Sequence, residues 1–249
     1  MFSNCTDIVI PLGSGSKYRN IELRMALRSI DRYAMNRRNI YIVSDAVPDW
    51  VCNVNTLNVP DRHLHNKDAN IIDKLLAAAR LPELSGQFLF WSDDQLALHQ
   101  FDANKLPVSC NPRRYEDFTG NRIWHRRMRN TFEYLHKHNI NLKCNFDTHL
   151  PMPIKKELFV KTISETNYTV EPGYCVNTLY CGLTRQKGVV EQKYLKYTAE
   201  TTENLHKLPA DKLFLGFNDN AMHSDLPELL KKRFPQKCQY ESYASDTEL

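Results

Sequence analysis

The stretch FLFWSDDQLAL, Phe88 to Leu98, limits what this chain can fold into more than any other segment. An apolar run of strand length ends there abruptly on two adjacent carboxylates, Asp93 and Asp94. Phe, Leu and Trp packed this closely leave no polar face, so the strand is expected to be buried on both sides, in a sheet covered by helices. Its acidic end then sits on the rim of that sheet. In open α/β sheets the carboxyl rim is where ligands bind, and hard oxygen donors placed there suit Mg²⁺ or Mn²⁺ holding a diphosphate. Ser-Asp-Asp is also ordinary turn chemistry, so the weight of the pair depends on its neighbours.

The segments before it supply the rest of such a sheet. DIVIPLG, Asp7 to Gly13, reads as a first strand closed by Pro11 and Gly13. The loop GSGSK follows, leaving backbone N–H groups open to a phosphate or a base, which makes Pro11, Leu12 and Gly13 candidate nucleotide contacts. NIELRMALRSIDRYAM carries Ile21, Met25, Leu27, Ile30 and Ala34 near helical spacing, a helix that covers the sheet. NIYIVSD, Asn39 to Asp45, is a second strand ending on a carboxylate, and strand, helix, strand makes a right-handed βαβ unit. VNTLNVP suggests a short third strand. A helix follows from about Asp68 to Arg80, stopped near Pro82. Residues 1–101 therefore read as a doubly wound nucleotide-binding half with Asp45 and the Asp93/Asp94 pair along one crevice.

Beyond Phe101 the pattern loosens into an expected acceptor-side half, 102–249, of one domain. A helix is expected in RNTFEYLHKH and another after the Pro-rich turn of CNFDTHLPMPIKKELFVKTISET. A helix-like or mixed stretch then runs to about Glu203. DKLFLGFND reads as a late strand ending in Asn218 and Asp219, followed by a short helix with Asp225 as its cap and Pro227 near its first turn. The tail QYESYASDTEL is expected to fray.

Composition narrows the class. Apolar residues make up 42% and charged residues 25% of the 249 positions, which is that of a soluble globular protein. No run is long enough for a membrane span, and the N-terminus lacks the basic start and apolar middle of a signal peptide. A cytoplasmic protein is expected. Seven cysteines without a C-x-x-C pair argue against a zinc site and a disulfide framework. The segment NPRRYEDFTGNRIWHRRMRN interleaves Arg113, Arg114, Arg122, Arg126, Arg127 and Arg129 with Tyr115, Phe118 and Trp124. Arginine forks with stacking aromatics suit a phosphorylated or nucleic acid partner; a solvated basic helix face accounts for the same charges.

Three blocks resemble one family. YRNIELRMALRSIDRYAMNRRNIYIVSDAVPDW with the following FLFWSDDQLAL resembles the second conserved region of the Stealth proteins. DTHLPMPIKKEL resembles the His-x-Pro element of the third region, and FLGFNDNAMHSDLPELLKKRFPQKCQYE resembles the fourth, with its Asn-Asp, helix and Phe-Pro ending. The resemblance covers most of the chain in the family's order. It implies a nucleotide-sugar-dependent sugar-1-phosphate transferase with a GT-A-like, Rossmann-type mixed sheet covered by helices, as in capsule synthesis and lysosomal enzyme tagging. DIVIPLGSGS stands where the family's first region reads Val-Tyr-Thr-Trp-Val-Asp-Gly, which leaves the donor and the transferred group open.

Carried over by position, the resemblance makes Asp93 and Asp94 the metal and diphosphate ligands, with Asp219 and Asn218 as further candidates and His149 as the histidine of His-x-Pro. A neutral imidazole there is a candidate general base, metal ligand or acceptor-positioning group, and a histidine bonded inside the core is the plain alternative. His223 is a weaker candidate for a third metal ligand. Arg24 and Arg28 share a helix face and would neutralise a departing phosphate if that face meets the rim. Glu22 suits a structural ion pair as well as catalysis. Asn66, Lys67 and Asp68 are within reach of a sugar or diphosphate, although capping explains one of them. The function expected is a Mn²⁺- or Mg²⁺-dependent transferase using a UDP-sugar and a carbohydrate acceptor. The alternatives are glycosylation of a modified DNA base through Arg113 to Arg129, or an inactive sugar- or phosphate-binding module.

Overall fold

A computed structural model describes residues 5–190, 194–196 and 207–242. In chain order the elements are β1 (Thr6–Pro11), α1 (Ile21–Tyr33), β2 (Ala34–Met35), β3 (Arg37–Ser44), β4 (Asn55–Asn58), α2 (Lys67–Ala79), β5 (Gln87–Phe90), β6 (Gln95–Ala97), β7 (Phe101–Asp102), β8 (Ser109–Cys110), α3 (Ile123–Lys137), β9 (Met152–Lys155), α4 (Lys156–Ile163), α5 (Val176–Leu183), β10 (Val189–Val190), β11 (Tyr194–Lys196), β12 (Phe214–Gly216) and α6 (Leu226–Arg233).

Successive strand residues point to opposite faces, and here both faces are apolar. Val9, Tyr41, Val43, Phe88 and Phe90 enter one core beneath α2, α4 and α5. Ile8, Ile10, Ile40, Ile42, Leu89 and Trp91 enter the other with Leu23, Leu27 and Ile30 of α1. A strand with no solvated face must be sandwiched by helices, and the α/β sheet follows. Its order is β4-β3-β1-β5-β9, with the first four strands parallel and β9 antiparallel to β5. A smaller sheet, β11-β12-β6, joins the late strand to the chain just after Asp94.

Three expectations change. The Pro-rich turn before α4 is a strand, β9, with Pro153 opposite Leu89. Proline removes a ladder donor and is tolerated at a sheet edge, the place β9 occupies. α3 starts at Ile123, so the end of the basic segment, Ile123 to Asn130, is already helical. The tail does not fray at its first residues, because Tyr240 and Glu241 are buried and Glu241 bridges to Val51. Residues 243–249 and much of the stretch expected to run to Glu203 lie outside the described residues.

Glu241 is the anchor of that tail. Its carboxylate accepts from Arg24 Nη1 at 2.8 Å and from Arg28 Nε at 2.6 Å and Nη2 at 2.8 Å. Arg24 also lies 4.2 Å over the Trp50 ring. A second buried acid, Asp7, accepts from Arg38 and from the Ser85 and Asn39 amides at 2.7 and 3.0 Å. Burial alone would raise both carboxyl pKa values. Their partners outweigh it and hold Glu241 and Asp7 below the ordinary carboxylate values. A folded pKa below the unfolded one stabilises the fold at neutral pH, and that stability is lost as pH falls through the folded value. Urea midpoints should therefore drop steadily below about pH 4, the ordinary carboxylate range; a midpoint constant down to pH 3 would contradict the assignment.

Candidate active site

The strand order reverses between β1 and β5, because β3 and β4 lie on one side of β1 while β5 and β9 lie on the other. Ligands of open α/β sheets bind at such a switch point, outside the carboxyl ends of the strands. Gly13 follows β1 at this rim, Asp45 follows β3, and Ser92–Asp94 follow β5. His149 reaches the same rim from the opposite direction, since β9 is antiparallel and Met152 at its start pairs with Phe90 at the end of β5.

The acidic turn is fixed from below. Buried Trp91 donates from Nε1 to the Gln95 carbonyl at 2.8 Å and packs on Phe101 and Phe214. Gln95 closes the turn, its amide donating to the Ser92 carbonyl and its side chain accepting from the Ser92 amide. The Phe217 amide donates to the Asp94 carbonyl at 3.2 Å, so the end of β12 abuts the turn. Asp94 Oδ1 lies 3.6 Å from His149 Nδ1. His149 has φ 57, a left-handed conformation that non-glycine residues hold only where their surroundings impose it. Gly216 provides the room: a Cβ there would lie 3.0 Å from His149 Cβ and 3.1 Å from its carbonyl oxygen.

The turn is strongly electronegative. Burial, then the Asp94 charge, then Glu22 push the Asp93 carboxyl up to about 7, with Lys67 acting in the opposite direction. Glu22 is itself raised by burial and by Asp219, and accepts from Ser16 Oγ at 3.1 Å. Asp94 and Glu22 thus act on Asp93, and Asp219 acts on Glu22, with exposed Lys67 as an opposing cation.

The remaining candidates separate. Pro11 and Leu12 are buried, and the Leu12 carbonyl accepts from Lys74 Nζ at 2.7 Å, which also bonds Asp61 at 2.6 Å; Gly13 and Asp45 are exposed on the rim. Asn66 is buried as the cap of α2, accepting from the Ala69 amide at 3.2 Å and donating to the Tyr168 carbonyl at 3.2 Å. Asp68 pairs with Arg127 at 2.6 Å. Arg24 and Arg28 do share a helix face, but that face meets Glu241 rather than the acidic turn. His223 sits in the 3-10 turn Asp219–His223 and bonds the Tyr18 hydroxyl at 2.9 Å. Among the described residues no three His, Cys, Asp or Glu side chains are grouped to hold a metal alone, so the expected Asp93, Asp94 and His223 trio is not assembled. The acids present still fit a hard cation. Mg²⁺-type ions keep several waters and take one or two protein carboxylates plus substrate phosphates.

Three of the six arginines of the basic segment are taken up inside the fold. Arg113 lies 4.6 and 5.5 Å over Phe118 and Trp124, Arg129 donates to the Phe118 and Gly120 carbonyls, and Arg127 donates to the Pro172 and His65 carbonyls. Arg114, Arg122 and Arg126 remain exposed. Sequence pattern alone did not single out Thr148, buried next to His149 in the chain, or Asn177, buried in the first turn of α5. Neither carries a periodic or motif signal.

No family model and no curated protein matches the chain. Among solved structures it is similar to the galactosyltransferase LgtC, determined with donor and acceptor sugar analogs. The TM-score is 0.56 at 10% identity, over 94% of this chain and 98% of that one. The fold is that of the GT-A glycosyltransferases. In this fold the acidic turn follows the carboxyl end of β5, beside the point where the strand order reverses. No helix among the described residues is long and apolar enough to cross a membrane.

Proposed function

We propose that this GT-A chain is a metal-dependent transferase of the Stealth type, moving a sugar or sugar 1-phosphate from a UDP-sugar to a carbohydrate hydroxyl. The observation that carries the reading is the Asp93/Asp94 pair at the switch point, with His149 3.6 Å from Asp94. LgtC, which shares the fold, was solved with donor and acceptor sugar analogs, and a crevice of this topology suits the same two ligands. Asp93 and Asp94 would hold Mg²⁺ or Mn²⁺, which when bound supplies positive charge to the diphosphate. Asn218 and Asp219, at the start of the 3-10 turn after β12, are further ligand candidates. Lys67 adds a cation for the phosphates, and the loop after Gly13 offers backbone N–H groups to the nucleotide. His149 is positioned to take the proton of the attacking hydroxyl.

A carbohydrate acceptor is favoured over nucleic acid because only three of the six arginines remain exposed, too few to track a phosphate backbone with the steep salt dependence of such binding. The released nucleotide separates the two reaction types. UMP reports sugar-phosphate transfer and UDP reports glycosyl transfer; absence of both with every UDP-sugar in Mn²⁺ refutes the reading.

The contact between Gly216 and His149 gives a second test. Gly216→Ala forces His149 to move by a few tenths of an ångström, and misplacement on this scale costs about tenfold in turnover. Turnover and melting temperature measured together should show the first falling and the second nearly unchanged. Wild-type turnover in this variant would remove His149 from the reaction.

A further inference from the structure

Arg127 of α3 is only 5% exposed, and its bonds converge on the start of α2. Nη2 donates to the His65 carbonyl at 3.1 Å and Nη1 to Asp68 Oδ2 at 2.6 Å, so the guanidinium grips the chain on both sides of Lys67. Nε donates to the Pro172 carbonyl at 2.8 Å, and Asn130, three residues further along α3, donates to the Gly173 carbonyl at 2.9 Å. Gly173, at φ 90, lies against Asn66: a Cβ there would come within 2.2 Å of Asn66 Oδ1. Asn66 in turn caps α2. Residues 65–68 are thus held from α3 and from the 172–173 turn at once. Lys67, the first residue of α2, is left exposed in the middle of this frame.

α2 carries the chain from β4 to β5 and packs on β1 and β3 on the way. These four strands are parallel, so the start of the helix lies at the carboxyl rim, the end of the sheet where Asp93 and Asp94 follow β5. Lys67 is near enough to oppose the charges that raise Asp93. Buried ion pairs often add little net stability compared with apolar packing, so what this one brings is geometry rather than energy. We infer that Arg127 is a positioning residue that acts through Lys67, fixing the first turn of α2 so that the Lys67 ammonium meets the diphosphate of the donor. The inference rests on the nucleotide-sugar reading above and deepens it by naming what aims the phosphate-binding cation. A lysine is a compact charge on a flexible stem, and a rigid backbone beneath it lowers the cost of ordering it when the phosphate arrives.

UDP affinity in Mn²⁺, measured in a double-mutant cycle, tests this. Lys67→Met should weaken UDP binding by about tenfold, the loss of one charge-assisted hydrogen bond. Asp68→Asn combined with Arg127→Met removes the buried pair without leaving a charge unpartnered. That variant should weaken UDP binding by about tenfold when Lys67 is present, and by less than about twofold when Lys67 is already replaced by methionine. Arg127→Lys keeps a charge opposite Asp68 but lacks the fork that reaches two carbonyls, and it gives the same pattern in a protein that folds even where the pair variant does not. An equal loss of affinity with and without Lys67 overturns the inference, because Arg127 then serves the fold rather than Lys67. Undiminished UDP binding in Lys67→Met overturns it as well, and leaves the nucleotide-sugar reading standing. If the wild type binds neither UDP nor any UDP-sugar, that reading fails first and the inference falls with it.

Discussion

Asp94→Asn should lower turnover by about 10²- to 10³-fold while leaving the fold intact. The substitution keeps the size of the side chain and removes one of two adjacent negative charges. Burial and the Asp94 charge are the two largest causes that push Asp93 up to about 7, so the lost repulsion offsets the lost contact with His149. Melting temperature should therefore hold or rise as activity disappears, the trade expected where a site is built at the expense of stability. Steady-state release of nucleotide from a UDP-sugar, beside a thermal melt of the same preparation, checks both. An inactive binding module would give the opposite pattern, with ligand binding and biological effect unaltered in Asp94→Asn.

The largest stability effect should come from the other end of the chain. Glu241→Ala leaves the guanidinium groups of Arg24 and Arg28 in a site where their side chains are 6% and 3% exposed. Breaking a buried pair in this way costs about 3–5 kcal/mol. The loss is large because the charge left behind has no water, and replacing the whole cluster should be much milder. Arg24→Met and Arg28→Met combined with Glu241→Leu should recover most of the stability, as buried ion clusters replaced by packed apolar groups often do. Urea unfolding of the single and triple variants separates the cases. A cost below about 1 kcal/mol for Glu241→Ala, the level of a surface ion pair, would mean that the tail is not anchored as described.

Much of the framework was legible because strands buried on both faces leave an unmistakable pattern. Ile8, Val9, Ile10, Ile40, Tyr41, Ile42 and Val43 fill both cores, and no solvent-facing register is open to them. The acidic turn was legible for the same reason, as the point where that apolar run stops. β9 was hidden by Pro153, which argues against a strand until its edge position is known. Arg24 and Arg28 read as a cationic clamp because helical spacing places both on one face but says nothing of what the face meets. The partner, Glu241, lies more than two hundred positions away, beyond any local pattern. Arg113, Arg127 and Arg129 read as a phosphate-binding run, whereas backbone carbonyls and aromatic rings of their own neighbourhood take them up. Asp147 and Thr178 are joined by a hydrogen bond across thirty-one positions, a link that no local pattern reveals.

In the proposed function Asp93 and Asp94 would hold a divalent ion that supplies positive charge to the donor's diphosphate. Calorimetric titration of UDP into the protein, with Mn²⁺ and then with EDTA, tests it most directly. UDP should bind the wild type only when Mn²⁺ is present, and that binding should vanish in Asp93→Asn/Asp94→Asn. Equal UDP affinity in EDTA, or undiminished Mn²⁺-dependent binding in the double variant, would contradict it.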